Sequence, residues 1–162
     1  MAISTNLERL SYGGPSGCIA PGMHHQVIQS VGATRTLLPE ESGAMCLFDA
    51  ATGVVYTLPA PVEGMYFDFV VNVDASSNSY KVITSASTVF LTGGVMITSL
   101  NVTESGDVFL ANGSSHVSLV ADGATKGWLK GAGRVRFTAI SSTLWFVEGY
   151  LTGAGTLADP FV

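Results

Sequence analysis

Short segments with the two-residue periodicity of β-strands, separated by turn-forming residues, run through this chain from about Thr34 onwards. In the clearest of them, residues 65–73, every odd-numbered position is apolar, whereas the even-numbered positions include Asp68 and Asn72. Successive side chains of a strand point to opposite faces, so this pattern predicts a strand with one buried and one partly exposed face. No segment shows the 3.6-residue periodicity of a long helix, and the chain is therefore predicted to be all-β.

Nine other segments have compositions typical of strands. They are residues 45–48, 54–58, 80–84, 89–91, 95–97, 107–111, 116–121, 134–139 and 143–148. Two connections are typical of hairpin loops, namely residues 49–53, which end in a glycine, and the pair Asn112-Gly113. Eight to ten short, evenly spaced strands predict one domain, residues 34–162, with a jelly-roll-like β-sandwich or barrel. The absence of a repeat of about 20–50 residues argues against a solenoid or propeller.

The first 33 residues differ from the rest of the chain. Residues 11–22 are rich in glycine and proline and have neither periodicity, so they predict neither a helix nor a regular strand. A solvated, disordered tail is usually polar or charged, but this segment carries several large apolar side chains. We therefore expect an extended arm, residues 1–33, that becomes ordered on a neighbouring protein. The predicted contact residues of the arm are Leu7, Leu10, Tyr12, Ile19, Met23, Val27 and Ile28.

The composition indicates a subunit of a protein assembly. Only 12% of the 162 residues are charged and 47% are hydrophobic, whereas about 25% are charged in an average soluble domain. No stretch approaches the ~20 apolar residues of a membrane helix. Because so few charged residues cannot cover the surface of an ordinary monomer, much of the surface is expected to face other protein. The formal net charge of −5 argues against electrostatic binding to nucleic acid or to anionic membranes.

The start of the chain and its cysteines indicate synthesis in a reducing cytoplasm. The first ten residues lack the basic stretch and long apolar run of a secretory signal. Cys18 and Cys46 are too few for the dense disulfide framework of a small secreted scaffold. We expect two free, buried thiols.

Four turn-and-strand motifs resemble a segment that is common in the virion proteins of tailed bacteriophages. They are Thr36-Leu-Leu-Pro-Glu-Glu-Ser-Gly43, Phe48-Asp-Ala-Ala-Thr-Gly53, Thr57-Leu-Pro-Ala-Pro61 and Gly64-Met-Tyr-Phe-Asp-Phe-Val-Val71. The later part of the chain, with Trp128, Trp145-Phe-Val-Glu-Gly149 and Asp159-Pro-Phe161, is also similar to these proteins. Many of them are capsid decoration (cement) proteins, and related segments occur in tail fibres and spikes. The resemblance, over about residues 34–161, implies a jelly-roll-like domain, usually trimeric, on an icosahedral shell, and no catalytic motif comes with it.

Residue types that could carry chemistry do not form a recognisable site. His24 and His25 with the two cysteines could ligate a metal, but their spacing matches no paired zinc-ligand pattern. His116 lies in a predicted strand, and no Gly-x-Ser-x-Gly elbow is present. The acidic residues are scattered singly, and the Gly-x-Gly pairs lack the strand-to-helix context of a nucleotide site. We therefore predict no enzymatic activity, no metal and no cofactor.

Four of the seven basic residues fall within eleven positions. They are Lys126, Lys130, Arg134 and Arg136. One interpretation is a contact with an acidic partner, such as a capsid shell. Binding of nucleic acid is disfavoured because few aromatic side chains accompany them. The other interpretation is a solvated hairpin whose charges prevent strand addition at an edge.

Together these observations predict a capsid decoration protein at the surface of a virion, made in the host cytoplasm. Its partners would be the major capsid protein, which the arm would bridge between neighbouring subunits, and copies of itself, as a homotrimer. The alternative is a receptor- or glycan-binding module of a tail fibre or spike. In that case exposed aromatic side chains such as Tyr12, Tyr80 and Tyr150 could stack on sugars.

Overall fold

The computed structural model describes residues 25–30, 32–100, 105–131 and 133–162. The regular structure of these residues is β, apart from one short 3-10 turn at Pro39–Glu41. The eleven described strands are β1 (Val27–Gln29), β2 (Thr34–Thr36), β3 (Met45–Phe48), β4 (Val55–Thr57), β5 (Tyr66–Val71), β6 (Tyr80–Ile83), β7 (Phe90–Ser99), β8 (Asp107–Asn112), β9 (Ser118–Ala121), β10 (Gly133–Ala139) and β11 (Leu144–Gly153). They form a seven-stranded sheet in the order β1-β3-β5-β10-β11-β7-β8 and a four-stranded sheet in the order β2-β4-β6-β9.

The predicted all-β sandwich is confirmed, because the two sheets enclose one apolar core. Phe48 of the large sheet lies at its centre, with ring centroids 5.2 Å from Tyr56 and 4.6 Å from Tyr80 of the small sheet. The two buried tyrosine hydroxyls donate to the carbonyl oxygens of Leu47 and Ala50. Burial of these rings therefore leaves their polar ends satisfied, as a stable core requires.

The first six strands wind as a coil. Each turn of the chain adds one strand to the large sheet and the next to the small sheet, and all neighbours within this part are parallel. Met45 pairs with Val27, eighteen residues earlier, whereas Lys81 pairs with Val55, twenty-six residues earlier. The turns differ in length, so this coil has no fixed sequence period. The parallel pairs also distinguish the strand order from an antiparallel jelly roll.

The remaining strands complete the large sheet. β10 and β11 form an antiparallel hairpin, and β11 also pairs in parallel with β7 over ten residues. The two short strands expected around Gly93-Gly94 are one continuous strand, β7. Gly93 has a φ of +92°, which glycine adopts without strain. Gly93 and Gly94 therefore lie within β7 and do not end it.

Both predicted hairpins are wrong. The loop at residues 49–53 connects β3 of the large sheet to β4 of the small sheet. Asn112-Gly113 lies where β8 ends, and the next strand, β9, also belongs to the other sheet. In each case the turn residues carry the chain across the sandwich. β8 pairs with the preceding strand β7, and β9 pairs with β6.

The β domain begins earlier than residue 34. β1 pairs with β3 and forms one edge of the large sheet. Residues 27–29, which the sequence assigned to the arm, are therefore part of the domain. Residues 1–24 lie outside the described part of the chain.

Candidate interaction surface

The side of the large sheet that faces away from the small sheet is called the outer face here. Strand register places Asp68 of β5, Arg136 of β10 and Glu148 of β11 side by side on it. The neighbouring row contains Arg134 and Tyr150. The predicted alternation of residues 65–73 is confirmed, because Phe67 and Phe69 point into the core whereas Tyr66, Asp68 and Val70 share the outer face.

A compact ionic cluster occupies the middle of this face. The Asp68 carboxylate accepts hydrogen bonds from Nε and Nη2 of Arg136, at 2.9 and 2.8 Å, and another from Nη2 of Arg134. The Arg136 guanidinium also lies over the Tyr66 ring, with its central carbon 4.6 Å from the ring centroid. The two arginine side chains cover Asp68, which is only 2% exposed.

The arginines keep Asp68 charged. Burial by itself would raise the pKa of the carboxyl, but hydrogen bonds from Arg136 and Arg134 outweigh this effect and lower its pKa below the usual value. The hydrogen bond to Asp68 correspondingly raises the pKa of Arg136, with a further contribution from Glu148. Asp68 and Arg136 are therefore both charged at neutral pH.

Large apolar side chains surround the cluster, mainly towards β8. Leu110 is 67% exposed, Val108 66% and Tyr150 54%. Met96 and Phe146 are exposed on the same side of β7 and β11. At the opposite edge of the sheet Val27 of β1 is exposed. Large contiguous apolar patches on a protein surface mark sites of contact with another protein, a membrane or a ligand.

The composition of the outer face is that of a protein–protein interface. The seven strands of the large sheet contain no lysine, whereas the outer face presents tyrosine, phenylalanine, methionine and arginine. Interface cores are enriched in these four residue types and depleted in lysine.

A polar depression on the outside of the small sheet is a weaker candidate. Its lining includes Thr34, Asn78, Lys81 and Asp122. The Asp122 carboxylate already accepts hydrogen bonds from the backbone N–H groups of Ala124 and Lys126 and from the Thr125 hydroxyl. Burial alone would raise the pKa of Asp122, but these hydrogen bonds lower it below the usual value. The Asp122 carboxylate therefore stabilises the turn at residues 122–126.

The described residues show no group of three or more metal-ligating side chains. Burial raises the pKa of the Cys46 thiol to about 12, so it is not a nucleophile at neutral pH. A ring nitrogen of His25 is 3.0 Å from the carbonyl oxygen of Gly43, and His116 stacks on Phe161. His24 and Cys18 lie outside the described residues.

The predicted arm residues fall into three groups. Val27 is exposed on the outer face, and its role as a contact residue stays a prediction. Ile28 is 2% exposed and belongs to the core beside Cys46, so its interpretation as a contact residue is wrong. The others, outside the described residues, are Leu7, Leu10, Tyr12, Ile19 and Met23.

The predicted basic segment divides into two. Arg134 and Arg136 lie together on the outer face, in ion pairs with Asp68. The segment is therefore not a free cationic patch. Lys126 and Lys130 lie in the β9–β10 connection, where their backbone N–H groups bond to Asp122 and Asp74.

Sequence reasoning missed most of the apolar part of the outer face. The missed residues are Met96, Val108, Leu110 and Phe146. β8 has apolar residues on both sides, Val108 and Leu110 outside and Phe109 and Ala111 inside. Periodicity alone cannot say which side of such a strand is covered.

A comparison with protein-family models, curated proteins and solved structures finds no match to this chain. The described residues include no helix that is long and apolar enough to cross a membrane.

Proposed function

We propose that this protein is a non-enzymatic structural subunit of a bacteriophage virion, a capsid decoration protein that stabilises the shell by bridging neighbouring capsid subunits. The β domain assembles through its outer face, and the N-terminal residues contact the major capsid protein. The protein is made in the host cytoplasm and resides on the capsid surface.

The apolar and arginine-rich outer face carries this proposal. Leu110, Val108 and Tyr150 are each more than half exposed, and burial of apolar area contributes roughly 25 cal/mol per Å². A water-soluble monomer gains nothing from such a face, whereas a subunit of an assembly gains its contact energy there. The virion-like motifs of residues 36–71 and the low charge of the chain agree with this role.

The alternative, a glycan-binding module of a tail fibre or spike, has narrower support. Tyr80 is fully buried with its hydroxyl bonded to backbone carbonyls, so it is not available to stack on a sugar. Tyr150 is 54% exposed beside Arg134 and remains an aromatic platform of the kind that sugar binding uses.

Immunogold labelling and quantitative mass spectrometry of intact particles test the proposal. A decoration protein is expected over the whole capsid, at copy numbers on the order of hundreds, because it follows the symmetry of the shell. A few copies confined to the tail would favour the fibre module. Particles free of this chain would contradict both.

A further inference from the structure

We propose that the outer face binds the same face of a second copy of this chain across a twofold axis. This contact deepens the proposed assembly role, on which it rests, by naming the partner of the outer face. The two large sheets would stack with their apolar side chains interdigitated, as the sheets of a sandwich do within one chain.

The apolar residues of the face form one continuous patch. Tyr150, Met96 and Val108 are register neighbours across β11, β7 and β8. Leu110 lies in the next row and pairs with Gly94 of β7. Because Gly94 has no side chain, no side chain of β7 separates Leu110 from β11 in this row. A twofold axis parallel to the strands, between β10 and β11 near the middle of the sheet, lays the two faces over each other across nearly their whole width, so that the exposed apolar side chains leave water together.

The charges of the face favour a second copy over a strongly charged partner. Arg134 and Arg136 are balanced by Asp68 and Glu148, so the strand residues of this face carry no formal net charge. The whole chain has a charge of −5, so the negative excess lies elsewhere.

The balance is also local. The side chain of Arg134 is 48% exposed although it pairs with Asp68, and Glu148 is exposed two residues before Tyr150. Across a twofold axis, each exposed cation can meet the exposed carboxylate of the other copy. An isologous contact requires this kind of self-complementarity.

The size of the face suits a stable contact. Six spacings of about 4.8 Å separate the outermost of the seven strands. The strands are three to ten residues long, on average between six and seven, and rise about 3.3 Å per residue. The face therefore measures about 29 by 20 Å, on the order of 600 Å² in projection. A specific interface of standard size buries about 800 Å² of accessible surface on each partner, which side chains projecting from a face of this size supply.

Native mass spectrometry and sedimentation of the purified full chain, up to about 100 µM, test the proposal. The wild type is expected at an even multiple of 16.8 kDa. A dimer satisfies this, and so does a hexamer in which the twofold contact joins two trimers. Leu110→Lys is expected to halve the mass, because the two copies of the charge would be buried in the contact.

Val62→Lys is the matched control, since Val62 is 61% exposed and lies in the β4–β5 connection, outside the strands that form the outer face. Val108→Lys repeats the test at a second position, and unfolding curves show whether each variant remains folded. A wild type that is monomeric or odd-numbered at all concentrations, or masses that neither lysine changes, would overturn the proposal.

Two outcomes separate this contact from the proposed function. If the wild type is monomeric in solution and the Leu110→Lys variant no longer binds capsids, the face binds the shell and the twofold contact is wrong. If the mass halves as expected but particles lack the protein, the contact stands and the virion role fails.

Discussion

Removing the charge of Asp68 tests the physical account of the outer face. Asp68→Asn keeps the size of the side chain and one acceptor oxygen, but it leaves two arginines without their counter-ion. Hydrogen bonds to buried charged groups contribute about 1.5–3 kcal/mol each, and Asp68 accepts three. The Arg134 and Arg136 side chains are 48% and 36% exposed, so water replaces much of the loss. We expect Asp68→Asn to lower the free energy of unfolding by about 2 kcal/mol.

The pH dependence identifies the cause. The pKa of Asp68 is lower in the folded chain than the ~3.9 of an unfolded aspartate. Its contribution is therefore fully present above about pH 4–5 and is lost as the pH falls through the folded-state pKa. The free energies of unfolding of wild type and Asp68→Asn, measured in urea, should differ at pH 7 and should approach each other towards pH 2. Glu148→Gln, which removes an exposed carboxylate from the same face, should cost less than about 0.5 kcal/mol. An equal deficit of Asp68→Asn at both pH values would refute the ionic explanation.

Three further predictions concern the core, the long strands and the arm. Cys46 should not react with iodoacetamide in the native protein at pH 8, because burial raises its pKa to about 12; prompt modification of an intact fold would contradict this. Gly93→Ala should lower the free energy of unfolding by roughly 2–4 kcal/mol in urea, since an added Cβ would lie 2.3 Å from the Val147 carbonyl oxygen at a φ of +92°; an unchanged midpoint would exclude that contact. Deleting residues 2–24 spares β1, so the shortened chain should fold with an unchanged circular dichroism spectrum. It should no longer occupy capsids or protect the shell against heat. Unchanged occupancy and heat resistance would contradict the proposed role of the arm.

Strand positions could be predicted wherever alternation was strong. β3 has the predicted bounds, and β5 and β10 differ from theirs by only a few residues, because each buries one side of a strand with large apolar groups. β1 and β2 are three residues long and were missed, whereas β4, equally short, was predicted because apolar residues flank it on both sides. The strand order could not be predicted, since a turn sequence specifies local backbone angles and not the sheet that the next strand joins.

The candidate site could be predicted only in part. Arg134 and Arg136 were predicted as part of a basic segment of four residues, whereas Asp68 was placed only on the partly exposed face of its strand and not in a site. Their meeting depends on the register between β5 and β10, which lie more than sixty residues apart in the chain. The strand at 143–148 has apolar residues on both sides, and the sequence did not show which side is covered: Trp145 is buried, whereas Phe146 is 37% exposed on the outer face.

Oxidative footprinting of assembled particles tests most directly whether the outer face is the assembly surface. Met96 is 45% exposed on the outer face, whereas Met65 is 8% exposed and serves as a buried reference. In free protein at low concentration Met96 should be oxidised readily and Met65 slowly. In intact particles Met96 should become as resistant as Met65, because another protein surface covers it. Oxidation of Met96 at the same rate in particles as in free protein would contradict the account.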